Sequence, residues 1–319
     1  MSCNTKVFIP GDLAPLSSVP CSKCGHSIMM PLRLHGLELR VKIASGGMGT
    51  VYRAFDTVLG REVAVKLMKK EIEEDPKGLD AFYREAQAQA KLNHTNIVQI
   101  YSYEEFEGQK FLVMELADRG TLDSRIEKYK RLPEYDVLDI GYKMASALDM
   151  ILNHDLLHCD IKPGNILFNA DNEPKLVDFG LARKVDSEPD DDLRGTPYYV
   201  APEKVKREKE TFLSDMYSLG GTLYHALTGH TPFEAPTIEE LVAAHVHSPL
   251  TPPIEVLPEI TQGTSDLLMK TMAKNPADRY LSYIELRLAF EEARAHLLRQ
   301  QSQATEVDRP KGKTSWWRR

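Results

Sequence analysis

His158-Cys159-Asp160-Ile161-Lys162-Pro163-Gly164-Asn165-Ile166-Leu167 sets a carboxylate, an ammonium and an amide within six positions, and the reading of the chain turns on it. Downstream stand Asp178-Phe179-Gly180 and Ala201-Pro202-Glu203. Upstream, Ala44-Ser45-Gly46-Gly47-Met48-Gly49-Thr50-Val51-Tyr52 reads as a glycine-rich turn between two strands. Glycines there let backbone N–H groups approach phosphate oxygens with no Cβ in the way. A tight hairpin in any sheet protein recruits the same glycines. Val63-Ala64-Val65-Lys66 reads as a strand whose alternation turns Lys66 away from Val63 and Val65, beneath that turn. A lysine there supplies a point charge for phosphate, and an exposed strand lysine looks the same in sequence. Glu85, mid-helix in Arg84-Glu85-Ala86, is the candidate ion-pair partner of Lys66.

The 319 residues carry 40 Lys and Arg against 47 Asp and Glu, a net charge of −7. That balance argues against nonspecific nucleic-acid binding through an overall positive field. Arg309, Lys311, Lys313, Arg318 and Arg319 make the last eleven residues +5, which leaves −12 on residues 1–308. A composition 42% hydrophobic and 27% charged excludes collagen-like, coiled-coil and wholly disordered classes. The length suits about two domains. No run of about 18 apolar residues signals a transmembrane helix. The first residues lack a basic segment followed by an apolar one, and Pro10, Pro15 and Pro20 interrupt them, so no signal peptide is expected. Four cysteines, with Cys159 far from the other three, make no disulfide framework and suit a reduced, cytoplasmic compartment.

Residues 1–36 show no sustained period and read as an extension rich in Pro, Ser and Cys. Residues 39–44, 50–55 and 62–68 are β-prone runs parted by glycines, followed by a helix over 79–92 with Phe82, Ala86 and Ala90 on one face. Two further strands, 97–103 and 110–114, complete an expected antiparallel sheet of about five strands with one helix. Beyond Gly120 the period becomes helical: Val137, Ile140, Met144, Leu148 and Ile151 follow a start signal at Pro133 to Asp136. Residues 214–228 are apolar nearly all round, as suits a helix buried at the centre of a domain. Further helices are expected over 266–273 and 282–298, after which the chain turns polar. There is no internal repeat.

The order and spacing of glycine turn, strand lysine, helix glutamate, the 158–167 loop, Asp178 and Ala201-Pro202-Glu203 resemble those of a protein kinase. The resemblance covers about 37–293. It implies an α+β, two-lobed fold with an N-lobe over 37–117 and a C-lobe over 118–293, between a 1–36 extension and a 294–319 tail. Gly46 to Tyr52 are most similar to bacterial kinases of eukaryotic type. The family's chemistry implies ATP and Mg²⁺ in the cleft and a protein substrate. Asp160 would be the base that accepts or orients the substrate hydroxyl, and Lys162 would sit near the γ-phosphate. Asn165 and Asp178 would hold Mg²⁺, their amide and carboxylate oxygens suiting a hard cation. Lys66 would bind the α- and β-phosphates, and Glu85 would fix Lys66. Ile43, Ala44, Ser45, Gly46, Gly47, Met48, Gly49, Thr50 and Val51 would cover the nucleotide. Met114 would back the adenine pocket, and Glu115 to Ala117 would be the hinge that bonds adenine. Asp215 is implied to hold the catalytic-loop backbone, and Glu203 with Arg279 to form a buried ion pair. Lys162 after the base, and Gly195-Thr196-Pro197-Tyr198-Tyr199 before Ala201, resemble serine/threonine kinases. The acids that select arginine near the target fall on Thr121 and Gly164, so no arginine preference is implied. Ala201-Pro202-Glu203 also disfavours a small-molecule phosphotransferase.

Two positions depart from the family. Ala44 stands for the first glycine of the turn, and Cys159 stands for the arginine that usually pairs with a phosphorylated activation-loop residue. From Asp178 to Glu203 the only hydroxyl-bearing Ser/Thr residues are Ser187 and Thr196, with Asp190, Asp191 and Asp192 between them. Catalysis without activation-loop phosphorylation is therefore expected. For Cys159 a buried spacer thiol is preferred over a redox switch. The rival class is a non-catalytic pseudokinase scaffold, supported by those two departures and opposed by the presence of Lys66, Asp160, Asn165 and Asp178. At the ends, Cys21-Ser22-Lys23-Cys24-Gly25-His26 resembles half of a zinc ribbon, with Cys3 and His26 or His35 as candidates to complete a Zn²⁺ site, but a disordered, cysteine-bearing leader is preferred over metal binding. Lys311-Gly312-Lys313-Thr314-Ser315-Trp316-Trp317-Arg318-Arg319 is a candidate for contact with an anionic membrane surface, though a solvated terminus is preferred.

Overall fold

The computed structural model describes residues 3, 5–6, 13–187 and 197–307. The expectations placed on Asp190 to Asp192, Gly195, Thr196 and the basic tail 309–319 lie outside the described residues. The chain divides into two compact units: Met1–Gly120 with Leu167–Ala182, and Thr121–Ile166 with Arg183–Arg319.

The first unit is built on a sheet. Its elements are β1 (Ser18–Pro20), β2 (Ser27–Met29), β3 (Leu32–Leu34), β4 (Leu37–Ser45), β5 (Gly49–Asp56), β6 (Arg61–Met68), α1 (Lys70–Glu73), α2 (Pro76–Ala90), β7 (Ile100–Phe106) and β8 (Gln109–Met114). β3 to β8 form one antiparallel sheet in the order β3-β4-β5-β6-β8-β7. The period of two sorts β6 onto two buried faces. Val63, Val65 and Leu67 join Leu37, Leu39, Ala54, Phe111 and Val113 in one core, while Met68 packs with Leu112 and with Phe82 and Ala86 of α2. α2 begins before the expected Leu79 because Asp75 caps it, accepting from the N–H groups of Lys77 at 3.1 Å and Gly78 at 3.0 Å, with Pro76 in the first turn.

The leader differs from the expectation of a structureless extension. β1 and β2 pair as a hairpin, and β3 adds a sixth strand through Leu32 opposite Leu39 and Leu34 opposite Leu37. Three-residue strands are too short to display alternation, so pairing with β4 rather than local pattern creates them. Leu16, Met29 and Leu32 pack against the sheet core. Segment 167–182, assigned by sequence to the helical lobe, is tied to this unit. Val98 donates to the Leu176 carbonyl at 3.0 Å, Leu176 donates to that of Asn96 at 2.8 Å, and the Asn96 amide donates to that of Pro174 at 2.9 Å.

The second unit is mostly helical: α3 (Leu122–Tyr129), α4 (Glu134–Leu152), α5 (Pro202–Val205), α6 (Phe212–Thr228), α7 (Ile238–His247), α8 (Pro253–Val256), α9 (Gln262–Thr271) and α10 (Tyr283–Val307). α6 packs against α4 and α9, and burial of Met216, Tyr217, Leu219, Leu223 and Leu227 accounts for its apolar circumference. Thr211 and Ser214 cap it reciprocally, which starts the helix two residues before the expected Ser214. α10 lies along α4 over the expected 282–298, with Ala293 and Leu297 on its buried face, and continues to Val307. The residues after 298 that turn polar include Arg, Gln and Glu, good helix formers, which carry the helix on. Among the described residues no helix is long and apolar enough to cross a membrane.

Candidate active site

In the first unit, the β4–β5 connection is Gly46 to Met48, closed by the Gly46 N–H donating to the Gly49 carbonyl at 2.9 Å and by a 3.1 Å contact between the Ser45 and Thr50 hydroxyls. Ala44 lies opposite Val51, and a register shift between Lys42 and Ala44 leaves Ile43, partly exposed, out of the pairing. The glycines serve different ends. A Cβ on Gly47 meets nothing within 4 Å, and one on Gly46 only the Gly49 carbonyl at 4.0 Å, so open space stands over this backbone. On Gly49 a Cβ would stand 2.4 Å from the Leu67 carbonyl oxygen, so that glycine exists for the close approach of β5 to β6. Met48 folds inward against the Met68, Phe82, Ala86 and Leu112 cluster.

Alternation on β6 turns Lys66 toward α2, where its Nζ donates to Glu85 Oε1 at 2.7 Å. Glu85 is buried, so this pair is held in a partly desolvated setting where a charge-assisted bond is strong. The Asp178-Phe179-Gly180 segment passes beside it: a Cβ on Gly180 would lie 3.7 Å from Glu85 Oε2. Phe179 is buried and Asp178 exposed, with Asp178 Oδ1 accepting from the Gly180 N–H at 3.2 Å. Met114 sits opposite Ala64 and against the α2 cluster. The Glu115 N–H is spent on the Gln99 carbonyl at 2.8 Å and its carboxylate on Lys175, which leaves its carbonyl to accept. The Ala117 N–H has no protein partner among the described residues.

The second unit carries the 158–165 loop. Lys162 Nζ donates to Asp160 Oδ2 at 2.7 Å, and the Asn165 amide nitrogen donates to the same oxygen at 3.0 Å and to the Asp160 carbonyl at 2.8 Å. Asn165 therefore has its Oδ1 left to offer. Cys159 sits at φ +65°, in the left-handed region that non-glycine residues disfavour. Asp215, buried in the first turn of α6, holds that turn by accepting the N–H groups of His158 at 2.7 Å and Cys159 at 2.8 Å. Burial, then the nearby Asp215 and Glu210 carboxylates, push the Cys159 thiol well above the ordinary thiol range. A thiol held protonated is a poor nucleophile and redox sensor, which matches the spacer reading. A small cavity beside Asp160 is lined by Cys159, Tyr199, Lys204, Glu210 and Ser218.

Two ion pairs brace this unit. Arg279 and Glu203 bond bidentately at 2.7 and 2.9 Å. Sequence reasoning missed the other. Glu210, buried, accepts from Arg183 at 2.5 Å, with Lys204 Nζ 3.9 Å from its second oxygen. Burial pushes the Glu210 carboxyl up, against the pull of Lys204 and Arg183. The only signal for it was an acid in a short stretch of lysines, arginine and acids, indistinguishable from a solvated face. Among the leader candidates, Cys21 and Cys24 are joined by Cys3. Neither His26 nor His35, whose ring packs 4.5 Å from that of Phe106, belongs to the group of three thiols.

Residues 37–290 match the family described as protein kinase domain. The chain is 37% identical over 259 residues to serine/threonine-protein kinase PknH of Mycobacterium bovis, covering 80% of this chain and 44% of that protein. It is 38% identical over 253 residues to serine/threonine-protein kinase PknA of Mycobacterium tuberculosis, covering 77% and 58%. It is 33% identical over 249 residues to probable serine/threonine-protein kinase PknB of Lactococcus lactis, covering 77% and 40%. The matches thus span about half the length of these relatives.

Proposed function

The chain belongs to the protein kinase family, and we propose that it transfers the γ-phosphoryl group of ATP to serine or threonine hydroxyls of protein substrates. The observation that carries this reading is the single bonded set of Asp160, Lys162 and Asn165, on a loop backbone held by Asp215. Phosphoryl transfer asks for little covalent help; positioning and charge neutralisation do most of the work. Two donors orient the Asp160 carboxylate, the group that takes the proton of an incoming hydroxyl. Lys162 places a positive charge beside that carboxylate, where negative charge shifts during transfer. Lys66, steadied by Glu85, binds phosphate oxygens, and the open backbone at Gly46 and Gly47 admits them. The Glu115 carbonyl and the Ala117 N–H form an acceptor and a donor that suit adenine. Bound Mg²⁺ supplies charge neutralisation on the phosphates, and the oxygen donors of Asn165 and Asp178 fit such a hard cation. The names of the relatives, together with Lys162 two positions after Asp160, support serine/threonine specificity.

Catalysis on this reading needs no activation-loop phosphate. Supporting it are Cys159 in place of the receptor arginine, and Glu210, whose carboxylate already pairs with Arg183 and lies 3.9 Å from Lys204. The substitution at 159 also leaves the loop backbone clamped by Asp215, which favours an active enzyme over a silent scaffold. Four free thiols support placement in a reducing cytoplasm. The test is incubation of the full chain with labelled ATP, Mg²⁺ and a generic basic protein, beside an Asp160→Asn variant. Label incorporated by the wild type alone is expected. Equal label from both, or no nucleotide binding, overturns the proposal, the latter in favour of the scaffold.

A further inference from the structure

Three sulfur atoms converge in the leader, remote in sequence from the residues assigned to phosphoryl transfer. The Sγ atoms of Cys3, Cys21 and Cys24 lie within 4.8 Å of one another, those of Cys3 and Cys21 at 3.6 Å. A tetrahedral zinc ion with Zn–S bonds near 2.3 Å holds its sulfur ligands about 3.8 Å apart. The Cys3 and Cys21 sulfurs therefore stand at the separation of two ligands around a shared ion, and Cys24 lies near enough to join them.

The backbone is shaped to the same end. Residues 21–26 are the whole connection between β1 and β2. The Gly25 N–H donates to the Cys21 carbonyl at 2.8 Å, and the Cys21 N–H donates to the His26 carbonyl at 2.7 Å. Gly25 adopts φ +69°, open to glycine and disfavoured for other residues. The hairpin rests on packed chain: Leu16 and Met29 contact the sheet core, the Leu16 N–H donates to the Met30 carbonyl at 2.9 Å, and the Met30 N–H donates to that of Ser17 at 2.8 Å.

We propose that Cys3, Cys21 and Cys24 coordinate one Zn²⁺ ion that closes the leader onto the sheet unit, with a solvent molecule in the fourth position. Each coordinating thiol releases its proton to solvent, and no oxidation state changes. Sulfur-only protein ligands select a soft or borderline ion over Mg²⁺ or Ca²⁺, which distinguishes this site from the Asn165 and Asp178 oxygens. Exposure of Cys24 gives solvent access to the open position.

The experiment uses the full chain, isolated without chelator under reducing conditions, with elemental analysis of bound metal. One zinc per chain is expected. After metal removal, titration with Co²⁺ should produce a thiolate-to-cobalt charge-transfer band that added Zn²⁺ abolishes. Losing merely a hydrogen-bond partner of a metal ligand costs about 10–100-fold in affinity, so Cys3→Ser, Cys21→Ser and Cys24→Ser should each weaken zinc by more than about 100-fold. Cys159→Ser should keep its full zinc content. The proposal is overturned if the folded wild type takes up no zinc from excess ZnCl₂, or if it holds stoichiometric iron instead. It is equally overturned if Cys3→Ser binds zinc like the wild type, or if Cys3 and Cys21 are found in a disulfide in freshly isolated chain. The wild-type measurements stand even where a variant fails to fold, and none depends on kinase activity.

Discussion

Replacing Arg279 by Leu removes a fully buried side chain that makes five hydrogen bonds in the helical unit. Its side chain is 0% exposed. The guanidinium donates to Glu203 Oε1 at 2.7 Å and Oε2 at 2.9 Å, to the Leu213 carbonyl at 2.7 Å, to that of Ala273 at 2.8 Å and to that of Lys274 at 3.4 Å. Leucine fills some of the volume and leaves Glu203 buried with Ser214 Oγ, at 2.7 Å, as its remaining side-chain donor. Breaking a buried pair on one side costs about 3–5 kcal/mol, most of it the stranded charge. In a unit of this size that lowers the melting temperature by roughly 6–20 °C. The sign of the pH dependence follows from Glu203. Burial raises its carboxyl, but Arg279 and Ser214 outweigh burial and hold it below its ordinary 4.5. A depressed carboxyl stabilises above the unfolded value and loses that contribution as pH falls through the folded value. In the variant the opposing pull is gone and protonation relieves the stranded charge, so the stability gap narrows toward acid pH. Urea titrations of both chains at pH 7 and pH 4.5 measure it. A loss below about 1 kcal/mol at neutral pH, or a gap that widens on acidification, would refute the reasoning, and Glu203→Leu/Arg279→Leu should cost less than Arg279→Leu alone.

Further outcomes follow from other sites. Glu85→Gln removes the charge that holds Lys66 and should lower kcat/KM for ATP roughly 10- to 100-fold, the worth of a charge-assisted bond; unchanged steady-state kinetics would argue against the pair. Ser187, whose hydroxyl donates to the Lys184 carbonyl at 2.7 Å, should tolerate alanine with activity nearly intact, and a loss above about tenfold, about 1.4 kcal/mol of barrier, would show that a phosphate there matters. His245 is fully buried against Tyr217, Phe233 and Lys274, and burial and then Lys274 lower its pKa to about 4. Its neutral form is favoured in the fold, so stability should fall as pH drops from 6.5 toward 4, by up to roughly 3 kcal/mol. Denaturant midpoints across that window should slope less in His245→Phe, and equal slopes would contradict the assignment. Gly49→Ala should destabilise by roughly 1–3 kcal/mol against the Leu67 carbonyl, whereas Gly47→Ala, facing open space, should cost less than about 1 kcal/mol; thermal denaturation compares the two.

Features legible in the sequence are those written within a few positions of one another. Asp160, Lys162 and Asn165 sit on one loop, so their spacing is their geometry, and the bonds to Asp160 Oδ2 follow from it. α4 and α6 announce themselves because a helical period reports which face is buried without naming what buries it. Alternation on β6 likewise turned Lys66 away from the Val63 and Val65 core. What local pattern cannot carry is the identity of a distant partner. Cys3 meets Cys21 across 18 positions, Arg183 meets Glu210 across 27, and Asn96 meets Pro174 across 78. β1, β2 and β3 are three residues each, too short to show a period, and exist through their pairing. The sequence by itself determined the family, the helices α2, α4, α6, α9 and α10, and the Asp160, Lys162 and Asn165 constellation, whose information is local. Only tertiary structure decided that Glu210 neutralises Arg183, that segment 167–182 joins the sheet unit and that three thiols meet in the leader. Those are distances between residues that chain order leaves unrelated, set when burial of apolar faces brings the segments together.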